Sequence, residues 1–218
     1  MIHTDALTLP DEQMLALAHT PRALRARLQV ILALDHRLGR LVAGTTEPML
    51  GQMRLAWWRD ALAQPAANRP RGDAVLDAIG ETWEGHEGPL RAMVDGWEYM
   101  LAEVLDKDAA IAFAKGRAAP FAAFADMAGV SSLQEEALRI GERWALADAA
   151  TNLSGGEERD IMIDLGSELG APRVVPRALR GLAILNALAM RSLAGGGQPM
   201  MLGRVSALIA LRVSIFGR

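Results

Sequence analysis

Apolar residues along the 218-residue chain recur at intervals of three and four, and β-branched or aromatic runs bounded by turn pairs are scarce. That periodicity predicts helices and no strands. A first helix begins near Pro10-Asp11-Glu12 and runs to about Ala18. A longer one, from Pro21 to about Ala43, carries Leu24, Leu28, Ile31, Leu32, Leu38 and Val42 largely on one stripe with arginines interleaved. After a break at Gly44 to Pro48, Met49, Met53, Ala56, Trp57 and Leu62 mark the next helix, followed by a polar loop over 65–72. Four more candidates span Asp73 to Gly85, Pro89 to Leu105, Asp108 to Met127 and Ser131 to about Asn152. Pro120 is expected to kink or divide the third of these, and Ser131-Ser132-x-x-Glu135 to open the fourth as a capping box. Ser154-Gly155-Gly156 ends the helical run. The stretch from Glu157 to Pro176, with Gly166, Gly170 and Pro172, reads as irregular, its Glu157-Glu158-Arg159-Asp160 run as a solvated loop. Helix is expected again from Arg177 to Leu193 and, past Gly195-Gly196-Gly197, to the C-terminus.

Composition narrows what such a bundle does. At 51% hydrophobic residues the chain can bury one substantial core, which predicts a single domain over 1–218. A net charge of −3 supplies no basic field for nucleic acid, which is not expected as a partner. Without cysteine there is no disulfide, thiol nucleophile or cysteine-ligated zinc, and a cytoplasmic location is the default expectation. Met1 to Pro10 shows no basic segment leading into an apolar run, so no secretory signal is expected. The apolar tail Met200 to Phe216 is interrupted by Arg204 and Arg212; it is expected to pack on the core, with contact to a membrane surface or a protein partner as the alternative.

Common chemical signatures are missing: no G-x-x-x-x-G-K-S/T, no dinucleotide fingerprint, no H-E-x-x-H. His3, His19, His36 and His86 are scattered without metal-ligand spacing. Adjacent Trp57 and Trp58 must point about 100° apart on a helix, placing one in the core and the other at a boundary or cavity wall. Met49, Met53, Met93 and Met100 read as core filling. Asp95 and Glu98, at i and i+3, are positioned to reach one metal or one arginine.

Three segments together resemble the squalene/phytoene synthase family. They are Thr46-Glu47-Pro48-Met49-Leu50-Gly51-Gln52-Met53-Arg54-Leu55-Ala56-Trp57-Trp58-Arg59-Asp60-Ala61-Leu62, then Val94-Asp95-Gly96-Trp97-Glu98, then Gly141-Glu142-Arg143-Trp144-Ala145-Leu146-Ala147-Asp148. The first is similar above all to short bacterial members and to the related mitochondrial complex I assembly factor. The resemblance implies an all-α, single-domain helical bundle of the isoprenoid (terpenoid) synthase type with a central apolar cavity. In active members it implies head-to-head prenyl transfer on isoprenoid diphosphates, with Mg²⁺ held between two aspartate-rich helices. Divalent cations bridged to carboxylates stabilise the diphosphate leaving group while the cavity keeps water from the carbocation.

The family's first acidic motif falls on Gly39-Arg40-Leu41-Val42-Ala43, where no acid remains. The second falls on Asp148 to Gly156, where Asn152, Gly155 and Gly156 stand at the acidic positions. A degenerate member is therefore expected, with no confident catalytic residue, metal ligand or cofactor, and with Mg²⁺ only if the family activity is retained. The alternative is a non-catalytic binder of isoprenoid or other lipid-like molecules, or a respiratory complex I assembly-type factor. His36, Arg40, Trp58, Asp95, Glu98, Asp148 and Asn152 are the candidate cavity and substrate residues. Arg40 is expected either to bind phosphate or carboxylate directly or to pair with Asp148 or Glu98.

Overall fold

The computed structural model describes residues 9–201 and 212–213, and these contain nine α-helices and no strand. They are α1 (Asp11–Ala18), α2 (Arg22–Ala43), α3 (Pro48–Ala63), α4 (Ala74–Thr82), α5 (Glu87–Glu98), α6 (Lys107–Met127), α7 (Gln134–Asn152), α8 (Glu157–Glu168) and α9 (Arg180–Ala194). Local chemistry sets several boundaries. Pro48 opens α3 at its first turn, where a missing N–H leaves nothing unpaired. Asp73 caps α4 by accepting from the amides of Val75 (2.9 Å) and Leu76 (3.2 Å), and Asp106 caps α6 by accepting from Ala109 (2.8 Å). Gly155 and Gly156, at φ 109° and 84°, make the reversal between α7 and α8 in a region closed to most side chains.

The helices α5, α6, α7 and α9 pack in sequence as the spine, with α3 against α5, α8 against α7, α1 against α9, and α2 lying over α4, α5 and α6. Two close crossings depend on glycine. A Cβ at Gly116 would lie 2.6 Å from the Ala92 carbonyl oxygen and from the Gly96 Cα, so α5 and α6 touch backbone to backbone. A Cβ at Gly141 would meet the Ala118 Cα at 2.9 Å where α7 crosses α6. One apolar cluster fills the interior, with Trp83, Trp144, Phe113, Phe121 and Phe124 as its largest fully buried aromatic members.

Five expectations are corrected. The fifth helix stops at Glu98 and continues only as a short 3₁₀ turn to Leu101. Of the two outcomes expected at Pro120, division does not occur: α6 runs on through it, with Pro120 and Phe121 both buried, and that burial offsets one absent backbone bond. No capping box forms, because Ser131 donates its hydroxyl to Asp126 (2.6 Å) and a 3₁₀ turn precedes Gln134. The stretch expected to be irregular holds α8, in which Glu157, Glu158 and Asp160 occupy the first turn, where helix-terminal N–H groups favour negative charge. Met49 and Met53 are 71% and 64% exposed rather than core filling, while Met93 is buried. The expected C-terminal helix lies largely outside the described residues.

Candidate functional site

A cavity of about 730 Å³, within the usual range for small-molecule sites, opens between α1, α2, α5, α6, α7 and the segment Pro199 to Met201. Helical spacing explains which residues reach it. Asp35, Gly39 and Ala43 share one face of α2, and Asp148 and Asn152 one face of α7, each at i and i+4. Trp97 and Phe113 supply aromatic wall from α5 and α6, Val42, Met100 and Leu153 apolar wall, and Asp11, Glu12 and Gln13 a polar rim from the start of α1.

Its floor is a buried ion cluster centred on Arg117, which is 0% exposed. The guanidinium donates twice to Asp35, Nε to Oδ1 at 2.7 Å and Nη2 to Oδ2 at 2.6 Å. The same Nη2 donates to Asp148 Oδ2 at 3.0 Å, and Nη1 donates to the Ala145 carbonyl at 3.3 Å. Trp97 Nε1 completes the shell of Asp35 with a hydrogen bond to Oδ1 at 2.9 Å. The indoles of Trp97 and Trp144 and the ring of Phe113 lie 4.5, 4.6 and 5.1 Å from the guanidinium carbon, in cation–π contact. Burial alone would lower the Arg117 pKa, but the charges and hydrogen bonds of Asp35 and Asp148 more than reverse this, so the group stays charged.

Asp148 bridges this floor to the cavity, with its side chain 26% exposed. Burial and the Asp35 charge push its carboxyl above the ordinary range against the opposing pull of Arg117. Glu12, across the rim, is also raised, first by burial and then by repulsion from Asp148 and Asp11. Asn152 leans back on Asp148, donating Nδ2 to its backbone carbonyl at 2.9 Å.

Of the candidate residues, His36, Arg40, Asp148 and Asn152 line the cavity. Trp58, Asp95 and Glu98 do not. Trp58 is buried in the apolar core, in a T-shaped contact with the half-exposed Trp57 at 5.3 Å. Asp95 and Glu98 grip Arg59 at 2.6 and 2.5 Å, tying α5 to α3. Arg40 pairs with neither expected acid, because Glu98 is taken by Arg59 and Asp148 by Arg117; its side chain is exposed at the cavity edge. Sequence reasoning missed Arg117, Asp35, Trp97 and Gln13 as site residues.

The magnesium that the resemblance implies does not fit this donor set. Among the described residues no group of three His, Cys, Asp or Glu side chains is placed to hold a metal ion. Asp35 already accepts three hydrogen bonds, two of them from a cation, and Asp148 shares that cation. At the first motif, a Cβ on Gly39 would come within 3.0 Å of the Trp97 ring, so the indole fills the space into which an acidic side chain would project.

No curated protein and no solved structure matches the chain. The squalene/phytoene synthase family model matches residues 12–154, which take in nearly all of α1 and the whole of α2 to α7, the helices that build both the cavity and its ion cluster. With about two thirds of its length matched, the chain belongs to the squalene/phytoene synthase family.

Proposed function

We propose that this family member has lost metal-dependent prenyl transfer and instead binds an isoprenoid or other lipid-like molecule in its cavity. The observation that carries the reading is Arg117, whose fixed positive charge stands between Asp35 and Asp148 where free carboxylates would be needed to gather divalent cations. The cavity keeps an apolar, aromatic wall suited to a hydrocarbon chain. Incubating the protein with farnesyl and geranylgeranyl diphosphate and Mg²⁺ is expected to release no diphosphate and form no C30 or C40 hydrocarbon. Turnover would refute the proposal.

A second reading, an assembly-type role toward a protein partner, is favoured by the exposed apolar face of α3. Met49, Met53 and Trp57 repeat there at i, i+4 and i+8 within the segment that carries the family resemblance. Replacing Met53 and Trp57 by glutamate in the producing cell is then expected to reduce assembly of the partner complex without altering ligand binding in the cavity.

A further inference from the structure

The net charge of −3 hides an uneven distribution. Six helices, α1 and α4 to α8, carry at least one acid in the first turn, where unpaired N–H groups favour negative charge. α2 and α9 reverse this. Neither has an acid in its first turn, and they open on Arg22 and Arg180, with Arg177 on the 3₁₀ turn that leads into α9. The two ends meet. A Cβ on Gly181 would lie 2.2 Å from the hydroxyl of Thr20, just ahead of α2. Arg25 reaches back from α2 to donate to the Thr20 carbonyl at 3.3 Å, and Arg180 donates to the Val213 carbonyl at 2.8 Å, beside the exposed Arg212. Arg22, Arg25 and Arg177 are also exposed. Among the described residues none of these arginines has an ion pair. Glu136, the acid that reaches the segment leading to Arg177, is engaged by Arg139 and by the Arg173 N–H.

Cations gathered at two helix N-termini are repelled by both dipoles and by one another, and an anionic partner relieves that repulsion. The arginines are spread over α2, α9 and the segment at 212–213, and none lines the cavity, so they fit an extended field of negative charge better than one small anion. Val174, 59% exposed between Arg173 and Arg177, adds an apolar contact. We propose that this end of the bundle docks on a membrane surface rich in anionic phospholipid. Guanidinium groups pair readily with phosphate, and laterally mobile headgroups adjust to scattered cations, which a folded protein or nucleic acid meets only in a fixed register. The acidic residues Asp11 and Glu12 stand at the opposite end of α1, roughly 12 Å from Thr20 by helical rise, so an anionic surface attracts one end and repels the other. The inference is independent of what the cavity binds.

The test is co-sedimentation of the full chain with vesicles of phosphatidylcholine alone and of phosphatidylcholine mixed equally with phosphatidylglycerol. Binding to the anionic vesicles is expected to be tighter by about tenfold or more and to be lost in molar salt. Arg22→Gln should weaken it roughly fivefold, and Arg22→Gln with Arg177→Gln about 25-fold, at about fivefold per charge. Both arginines oppose a helix dipole, so these variants should melt at the parent's temperature or higher, which separates a lost contact from misfolding. Arg54→Gln, which removes one exposed charge from α3 instead, should change binding by less than about twofold. Absence of vesicle binding, equal binding to both vesicle types, or equal losses from Arg54→Gln and Arg22→Gln overturns the proposal. Tighter binding to polyglutamate or to single-stranded RNA than to the anionic vesicles, at the same concentration of charge, overturns it in favour of a macromolecular partner.

Discussion

Replacing Arg117 by methionine removes the cation but keeps much of the apolar stem volume. Four hydrogen bonds disappear, two of them from a bidentate contact to Asp35, and the stacking on Trp97 and Trp144 changes from cation–π to plain packing. The largest effect is electrostatic. Asp35, almost wholly buried, is left with only the Trp97 N–H, and Asp148 with a like charge nearby. Breaking a buried ion pair by removing one partner costs about 3–5 kcal/mol, because the remaining charge is buried without compensation. For a chain of 218 residues that corresponds to a melting temperature lower by roughly 6–20 °C. Equilibrium urea unfolding followed by circular dichroism at pH 7 measures it. The double variant Asp35→Leu with Arg117→Met removes both charges and is expected to recover most of the loss. A single variant within about 1 kcal/mol of the parent, or a double variant worse than the single, would refute the cluster as a coupled buried unit.

Three further outcomes follow from the same geometry. Gly39→Ala should destabilise by about 1–3 kcal/mol through overpacking against the Trp97 ring, and Gly39→Asp by at least as much without creating diphosphate release, checked by thermal melts and a phosphate assay. Glu12 has a raised pKa, so its ionisation opposes folding: stability is fully present below the ordinary value of 4.5 and falls as pH rises through the raised one. Glu12→Gln should therefore melt higher than the parent at pH 7 and no higher at pH 4; a gap independent of pH would contradict this. At Glu87 burial raises the pKa, but the hydrogen bond and charge of Arg69 outweigh it and the net shift is downward. Its stabilisation is present above 4.5 and lost as pH falls through the lowered value, so the deficit of Arg69→Met, about 3 kcal/mol at pH 7, should narrow in acid melts.

Most of the helices were legible because their apolar stripes are long and punctuated by proline, glycine and acidic caps, as in α2 between Pro21 and Gly44. α8 escaped because Gly166 reads as a breaker, whereas in the bundle it lets Leu193 of α9 approach to 2.7 Å from where a Cβ would stand. The cavity's polar floor was less legible, since Asp35 and Arg117 are 82 residues apart and no local spacing links them. A signal was nevertheless present. Arg117 interrupts the face carrying Phe113, Phe121 and Phe124, and Asp35 sits among Leu32, Leu34 and Leu38. Two opposite lone charges on otherwise apolar helix faces are an argument for a buried pair.

The glycine at the first motif is also physically linked to the ion cluster, which bears on what the site can do. Gly39 makes room for the Trp97 indole, the indole donates to Asp35 and stacks on Arg117, and Arg117 then neutralises Asp35 and Asp148 together. In a metal-dependent site the neutralising charge would come and go with the anionic substrate. Arg117 cannot leave, so the cavity floor is neutralised before any ligand enters, and among the described residues lining the cavity an incoming diphosphate would find only Arg40 with a permanent charge to offset its own. Binding an uncharged amphiphile requires no such offset, because its affinity comes from apolar burial along the aromatic wall. Restoring a single acid at position 39 would therefore displace Trp97 without freeing either carboxylate from Arg117.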